Sequence, residues 1–446
     1  MMEAYLRRAL LLSRSNPLGC VQRPISALML GLAVAAMGVV LVPALRKKRQ
    51  EALHDEAQGG RWRESPRPVG SAQLQPSCDN SAMSSLSFHA GPAALAHLRS
   101  HGLRAADIGV VPAAAGGPKG LIFQALDQYL FGHWLAQAPR ERTLIGSSIG
   151  AWRMAAACQA DPVAAFARLG DLYCGQRYSA RPSQQEIDAV CRQLLSDFIG
   201  GREHDILNHP HYRLNMLTVR GLGSLAAPQG RRAELRGFAA AALRNLASRE
   251  RLAGMLERVV IADARDGAAW LRERFDGFTT HFAALSADNL TSALLASGSL
   301  PLVMQPVRGL AGAPPGHYWD GGIIDYHLAL PYSRRLGKDH GDLVLYPHFS
   351  EHVVPGWLDK SMPWRRTARG PRRSWLDNVI IVAPTAVFLR SLPRGKLPDR
   401  KDFTHYGLDH DERIRNWKKA IGEGQRLRDE FAAFAAKPDV ARVMPI

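Results

Sequence analysis

Past Met83, short apolar runs alternate along the chain with stretches in which apolar residues return every three or four positions. The runs Ile108–Val111, Thr143–Ile145, Leu214–Val219, Val259–Ala262 and Leu343–Tyr346 predict strands covered on both faces, because little polar residue interrupts them. Between the first two, Leu121–Gln137 is predicted as a helix, with Ile122, Leu126, Tyr129, Leu130 and Trp134 mostly at helical spacing. Gly132 lies inside it, at a cost of about 1 kcal/mol relative to alanine. Ala151–Ala160 and the alanine- and leucine-rich Gly237–Leu256 also read as helices. Strands alternating with helices give an α/β fold with a mainly parallel sheet and helices on both faces.

The first 82 residues follow another pattern. Residues 1–24 are a basic leader, and 25–45 form an uncharged stretch, ISALMLGLAVAAMGVVLVPAL, long enough for one transmembrane helix. Arg46–Arg49, Arg61 and Arg63 slightly outweigh Arg7, Arg8, Arg14 and Arg23, which orients the main body toward the cytoplasm. A cleaved signal peptide is disfavoured by the long leader and by the basic cluster directly after the break. Residues 46–82, rich in Arg, Gly, Ser and Pro without periodicity, read as a disordered linker. Met83 is an alternative start, which would remove the span and leave a cytoplasmic protein.

Composition narrows the class. With 46% hydrophobic and 22% charged residues, the 446-residue chain is globular rather than disordered or collagenous. Its five cysteines contain no C-x-x-C, which disfavours a disulfide framework or zinc ribbon and suits a reducing compartment. The net charge of +17 attracts anionic surfaces. Arginine supplies 47 of the 57 basic residues in an alanine-rich chain, a bias that argues little for nucleic acid.

Three glycine-rich motifs carry candidate chemistry. Gly146-Ser147-Ser148-Ile149-Gly150 fits G-x-S-x-G between a strand and a helix, where a tight turn presents the central Ser148 at a helix N-terminus. Ala113–Gly120, AAAGGPKG, also joins a strand to a helix, and its backbone N–H groups suit a developing oxyanion. It lacks the G-K-[ST] of a phosphate loop and the G-x-G-x-x-G of a dinucleotide site. Asp320-Gly321-Gly322 offers a carboxylate on a turn free to approach another loop.

In order and combination these motifs resemble the patatin-like phospholipases, with AGGPKG, GSSIGAWR, ASGSLP, YWDGG and LYPHFSEHVVPGW as further similar blocks over Ser84–Met444. The resemblance implies a three-layer α/β/α catalytic domain at 83–446, with Ser148 as nucleophile and Asp320 as its partner in a dyad. Its substrates would be phospholipids or other acyl lipids at a membrane surface, without a cofactor. Gly120, Gly146, Gly150, Gly321 and Gly322 are the motif glycines. Ala115 stands at the first glycine of the family loop and Pro118 has no N–H. The oxyanion donors are therefore Gly116, Gly117 and Lys119, together with Ile149.

Rival readings remain open at this level. A Ser-Asp-His triad could pair Asp320 with His348, His405 or His410. A member that keeps the fold but only binds lipid is another. The cluster His204, His209 and His211 reads as a polar turn, because Pro210 breaks the helix a metal site would use. No calcium-loop spacing is present, so metal-independent activity is expected. Asp325 and His327 read as structural and Arg153 as part of a solvated helix face. Between Trp357 and Lys401, 11 basic residues face three aspartates among Trp357, Trp364, Trp375 and the run Val379–Phe388. Membrane or acidic-lipid contact is preferred there over nucleic acid, against a solvated loop with one buried strand at Val379–Val382.

Overall fold

The computed structural model describes residues 84–446 apart from 267 and 336–341, so the expected leader (1–24), membrane segment (25–45) and linker (46–82) lie outside the described residues. Among the described residues no helix is long and apolar enough to cross a membrane. The strands are β1 (Leu86–Ala90), β2 (Ile108–Ala113), β3 (Arg142–Ser147), β4 (Tyr212–Gly221), β5 (Leu256–Ala262), β6 (Thr280–Ala284), β7 (Val307–Arg308), β8 (His317–Asp320), β9 (Leu343–Pro347), β10 (Val379–Pro384) and β11 (Val443–Pro445). They form one mixed sheet whose main path runs β11-β1-β10-β9-β2-β3-β4-β5-β6, with β8 paired to β4 and β7 to β8 off that path. Pairing is parallel from β10 through β9, β2 and β3 to β4, and antiparallel where β1 meets β10 and β4 meets β5. Every residue of β2, β3, β9 and β10 is buried, as parallel strands under two helical layers require.

The longer helices are α1 (Pro92–His101), α2 (Ile149–Ala157), α3 (Pro162–Cys174), α4 (Gln184–Ile199), α5 (Gly230–Ala247), α6 (Leu290–Gly298), α7 (His410–Glu423) and α8 (Gln425–Ala436). All five expected strands are present, and Val379–Val382 is a fully buried inner strand. Two helices differ from expectation. The segment expected at Leu121–Gln137 is helical from Gly117, but only Gln124–Tyr129 is α-helix, and Leu130–Trp134 is a π turn around Gly132. A Cβ on Gly132 would lie 2.5 Å from the Val163 side chain, so close packing against α3 explains a glycine there. The helix expected at Gly237–Leu256 begins at Gly230 and stops at Ser248, whose hydroxyl caps the short helix Arg249–Leu252. Gly237 is an interior glycine, tucked against Leu225.

The strand β4 organises the functional end of the sheet. Its first half pairs with β3 up to Ser147↔Leu217, where β3 ends. The next positions of β4 pair with β8, in the register Thr218↔Asp320, Val219↔Trp319 and Arg220↔Tyr318. β8 thus enters antiparallel where β3 leaves, so the residue after β3 and the last residue of β8 come together. The Thr218 hydroxyl donates to the Trp319 carbonyl at 2.7 Å and fixes that register.

Beyond β8 the chain is tied down by buried charge. Arg258 of β5, wholly buried, reaches Asp325 at 2.6 Å and Asp276 at 2.7 Å. Asp325 is therefore structural, as expected. Removing one member of a buried ionic group leaves the others uncompensated, at a cost of about 3–5 kcal/mol. Arg258→Met should destabilise the protein by about that amount in urea unfolding, and a loss below about 1 kcal/mol would contradict this role.

Candidate active site

Ser148 sits between the end of β3 and the start of α2 with φ +55° and ψ −130°, a backbone conformation that side chains rarely adopt. Such strain costs about 1–3 kcal/mol and persists only where surroundings impose it. The surroundings here are specific. A Cβ on Gly146 would lie 2.5 Å from the Ala151 nitrogen, and one on Gly150 would collide with the Ala113 carbonyl. The Ser148 N–H donates to the Ser297 hydroxyl at 2.8 Å, and that hydroxyl donates to the Leu217 carbonyl at 2.7 Å.

Asp320 arrives from β8. Its N–H donates to the Ser299 carbonyl at 2.8 Å, so the end of α6 braces both sides of the site. The Ser148 hydroxyl donates to Asp320 Oδ2 at 2.8 Å, and the Gly322 N–H donates to Oδ1 at 2.7 Å. Gly321 and Gly322 have no room for a side chain: a Cβ would meet the Leu217 carbonyl at the first and Ala115 at the second. Ser148 and Asp320 are 5% and 3% exposed. Burial raises the Asp320 pKa above the ordinary carboxylate value, against the opposing pull of Arg400, the Gly322 N–H, Ser148 and Lys360.

The Ala113–Gly120 loop borders this pair. Ala115 is not among the residues with positive φ, and its N–H donates to the Tyr326 carbonyl at 3.0 Å, so alanine is accommodated there without strain. Gly117 has φ +57°, where glycine is required, and a Cβ on Gly116 would lie 2.7 Å from Phe349. A Cβ on Gly120 would press at 3.2 Å on Ile149 and Arg153. Ile149 opens α2, so its N–H has no intrahelical acceptor and is free for an anion at the helix N-terminus. Lys119 is half-buried, its ammonium 4.9 Å from the Phe349 ring centroid, and burial lowers its pKa.

Ser148 opens onto a cavity of about 300 Å³ whose wall includes Trp152, Ile187, Cys191, Val303 and Met304. Gly117 and Arg400 stand on the same wall.

Several sequence readings are resolved by position. Arg153 is not on a solvated face: it is 4% exposed and forms a two-bonded pair with buried Asp127 at 2.8 Å, locking α2 to the preceding helical segment. His348 is wholly buried with neither ring nitrogen hydrogen-bonded among the described residues, and burial keeps it neutral. His410 bonds the Tyr178 carbonyl and His405 is exposed, so none of the three expected triad candidates hydrogen-bonds Asp320. His209 accepts the N–H groups of His211 and Tyr212 in a turn, and no metal-ligating cluster forms among the described residues. Ser297, Arg400 and Lys360 escaped sequence reasoning. Only the block ASGSLP pointed toward the first.

The family model of the patatin-like phospholipases matches residues 130–330 of the chain. The match contains Ser148 and Asp320 and begins after the Gly116–Lys119 loop, a shorter extent than Ser84–Met444. No curated protein matches the chain. The mostly parallel sheet with helices on both sides agrees with the expected α/β/α architecture.

Because its folded pKa is raised, Asp320 holds its proton in the folded protein at pH values where the unfolded chain has lost it. Stability is therefore lost as pH rises through that window, and ionised Asp320 is a standing cost at neutral pH. Asp320→Asn, which preserves both hydrogen-bonding positions, should raise the melting temperature at pH 7 by a few degrees. An unchanged or lower melting temperature would contradict the burial argument.

Proposed function

We propose that residues 83–446 form a serine acyl hydrolase that cleaves fatty-acyl esters of phospholipids or related lipids through Ser148 and Asp320. The reading rests on one observation above the others: a hydroxyl on a strained turn, hydrogen-bonded at 2.8 Å to a buried carboxylate at the mouth of an apolar cavity. Asp320 Oδ2 takes the Ser148 proton as Oγ attacks the ester carbonyl, and the carbonyl electron pair moves onto oxygen. The N–H groups of Gly116, Gly117 and Ile149 would serve that oxyanion, where a well-placed donor is worth about 3–4 kcal/mol, whereas the Lys119 N–H is taken up by the first 3-10 turn, which begins at Gly117. Collapse expels the alcohol, which leaves with the proton held by Asp320. Water then attacks the acyl-enzyme with Asp320 again as base, releasing fatty acid and restoring Ser148. A raised pKa makes the carboxylate a better base than an ordinary aspartate.

The cavity's apolar wall suits an acyl chain. Membrane contact is supported by Trp364, 55% exposed, and Trp357, 36% exposed, among Lys360, Arg366 and Arg369. Trp375 instead packs edge-on against Phe275. We place this surface against the cytoplasmic face of a membrane.

Ser148→Ala should lower hydrolysis of acyl esters by about 10³-fold or more, whereas His405→Ala and His410→Ala should each retain turnover within about tenfold. A histidine variant as dead as Ser148→Ala would establish the triad instead. The acid limb of the kcat/KM profile for a neutral ester should report a group titrating above the usual aspartate range, since the base must be ionised. Cys191→Phe, which fills the cavity, should lower the dodecanoyl-to-butyryl rate ratio by about tenfold; an unmoved ratio would put the chain elsewhere.

A further inference from the structure

A second cavity, of about 420 Å³, lies behind the Gly116–Lys119 loop. Lys119, Lys360, Lys396 and His327 are on its wall, and Asp399 is its only carboxylate. Lys396 is already engaged, with Asp399 at 3.1 Å and Asp402 at 2.7 Å. Lys119 and Lys360 have no ion-pair or hydrogen-bond partner among the described residues; their ammonium groups rest against aromatic rings, Lys360 at 3.9 Å from the Tyr326 centroid. His327 is 3% exposed, and its Nε2 is buried without a partner. Its Nδ1 lies 2.9 Å from the His352 carbonyl, a contact that places the ring proton on Nδ1 and leaves Nε2 a bare acceptor, so His327 shapes the wall without donating to an anion. Two lysine amines without a partner around one cavity, the pKa of Lys360 lowered to about 7 by burial, call for an anion that would hold them charged.

Two features tie this cavity to the first. Gly117 and Arg400 line the apolar cavity, while their near neighbours Lys119 and Asp399 line the basic one, so the same two segments form the partition between them. Lys360 is also held in place. The buried carboxylate of its neighbour Asp359 takes Arg365 and Asn245 at 2.8 Å, Arg249 at 3.0 Å and the Gly356 N–H at 3.1 Å.

We infer that the cavity lined by Lys119, Lys360 and His327 is a headgroup subsite that selects lipids bearing a compact, net-anionic phosphate over zwitterionic lipids. The inference builds on the acyl-hydrolase reading: the acyl chain occupies the apolar cavity, the ester reaches Ser148 and the phosphate lies beyond the partition. A quaternary ammonium on that phosphate would enter a cavity whose cations outnumber its carboxylates, and would be repelled.

The test is calorimetric, on full-length protein carrying Ser148→Ala so that nothing is consumed, at about 0.15 M salt to screen the general basic charge. Dihexanoyl phosphatidate, dihexanoyl phosphatidylcholine and inorganic phosphate are titrated below micellar concentration. Phosphatidate should bind about tenfold more tightly than phosphatidylcholine. Adding Lys360→Gln, a change at an exposed side chain, should reduce that preference to about twofold, and Lys360→Arg should restore it. Equal affinities, or a preference indifferent to Lys360→Gln, would overturn the inference. Inorganic phosphate binding as tightly as phosphatidate would also overturn it, by assigning the cavity to free phosphate. Turnover of a headgroup-free ester by the wild-type protein separately tests the hydrolase reading, so the two failures are distinguishable.

Discussion

The handover of partners along β4 is the constraint on which the rest depends. β3 must end at Ser147 so that the chain can turn at Ser148, and β8 must then take its place beside β4 in the register Thr218↔Asp320. A slip of one residue in β8 would turn Asp320 to the other face of the sheet and leave the hydroxyl unpartnered. The Thr218 hydroxyl, the Ser299 carbonyl and the Arg258–Asp325 pair each hold that register from a different direction. Residues far apart in sequence therefore meet through backbone pairing, with little left to side-chain flexibility.

The site departs from what stability alone would favour. Ser148 occupies a strained conformation, and Asp320 carries its charge in a place where burial resists it. Around them the structure is over-determined: glycines that admit no side chain, α6 bonded to both residues, and the Arg153–Asp127 pair anchoring the helix behind the serine. Strain and desolvation concentrated at one point, with rigid support on every side, are what a preorganised reaction centre requires. The two cavities extend that arrangement outward, one apolar and one basic, with Gly117 on the wall of the first and Lys119 on the wall of the second.

Much of this was legible in the chain because glycine spacing and continuous apolar runs are local signals. The inner strands announced themselves through uninterrupted apolar character, and the three glycine motifs through the tight turns they require. β8 is only four residues, HYWD, after a glycine- and proline-rich run, and β6 lies at the edge of the sheet, half-exposed, so neither carried a clear period. Ser297 and Arg153 act through partners, and Lys360 lines a cavity, that no sequence spacing reveals. Arg153 looked solvated because charge is usually outside, and only the fold brings Asp127 beneath it. Gly132, which read as a cost inside a helix, faces the close approach of Val163 from α3, a contact that only tertiary packing creates.

The central claim is that Ser148 is a nucleophile flanked by its base, its oxyanion donors and a cavity for the acyl chain. A crystal structure of the wild-type protein after reaction with a long-chain alkylphosphonate ester examines the nucleophile, the oxyanion donors and the cavity together. The account requires phosphorus bonded to Ser148 Oγ, a phosphonyl oxygen within hydrogen-bonding distance of the Gly117 and Ile149 N–H groups, and the alkyl chain beside Cys191 and Met304. Modification at another serine, or a chain lying outside that cavity, would contradict it.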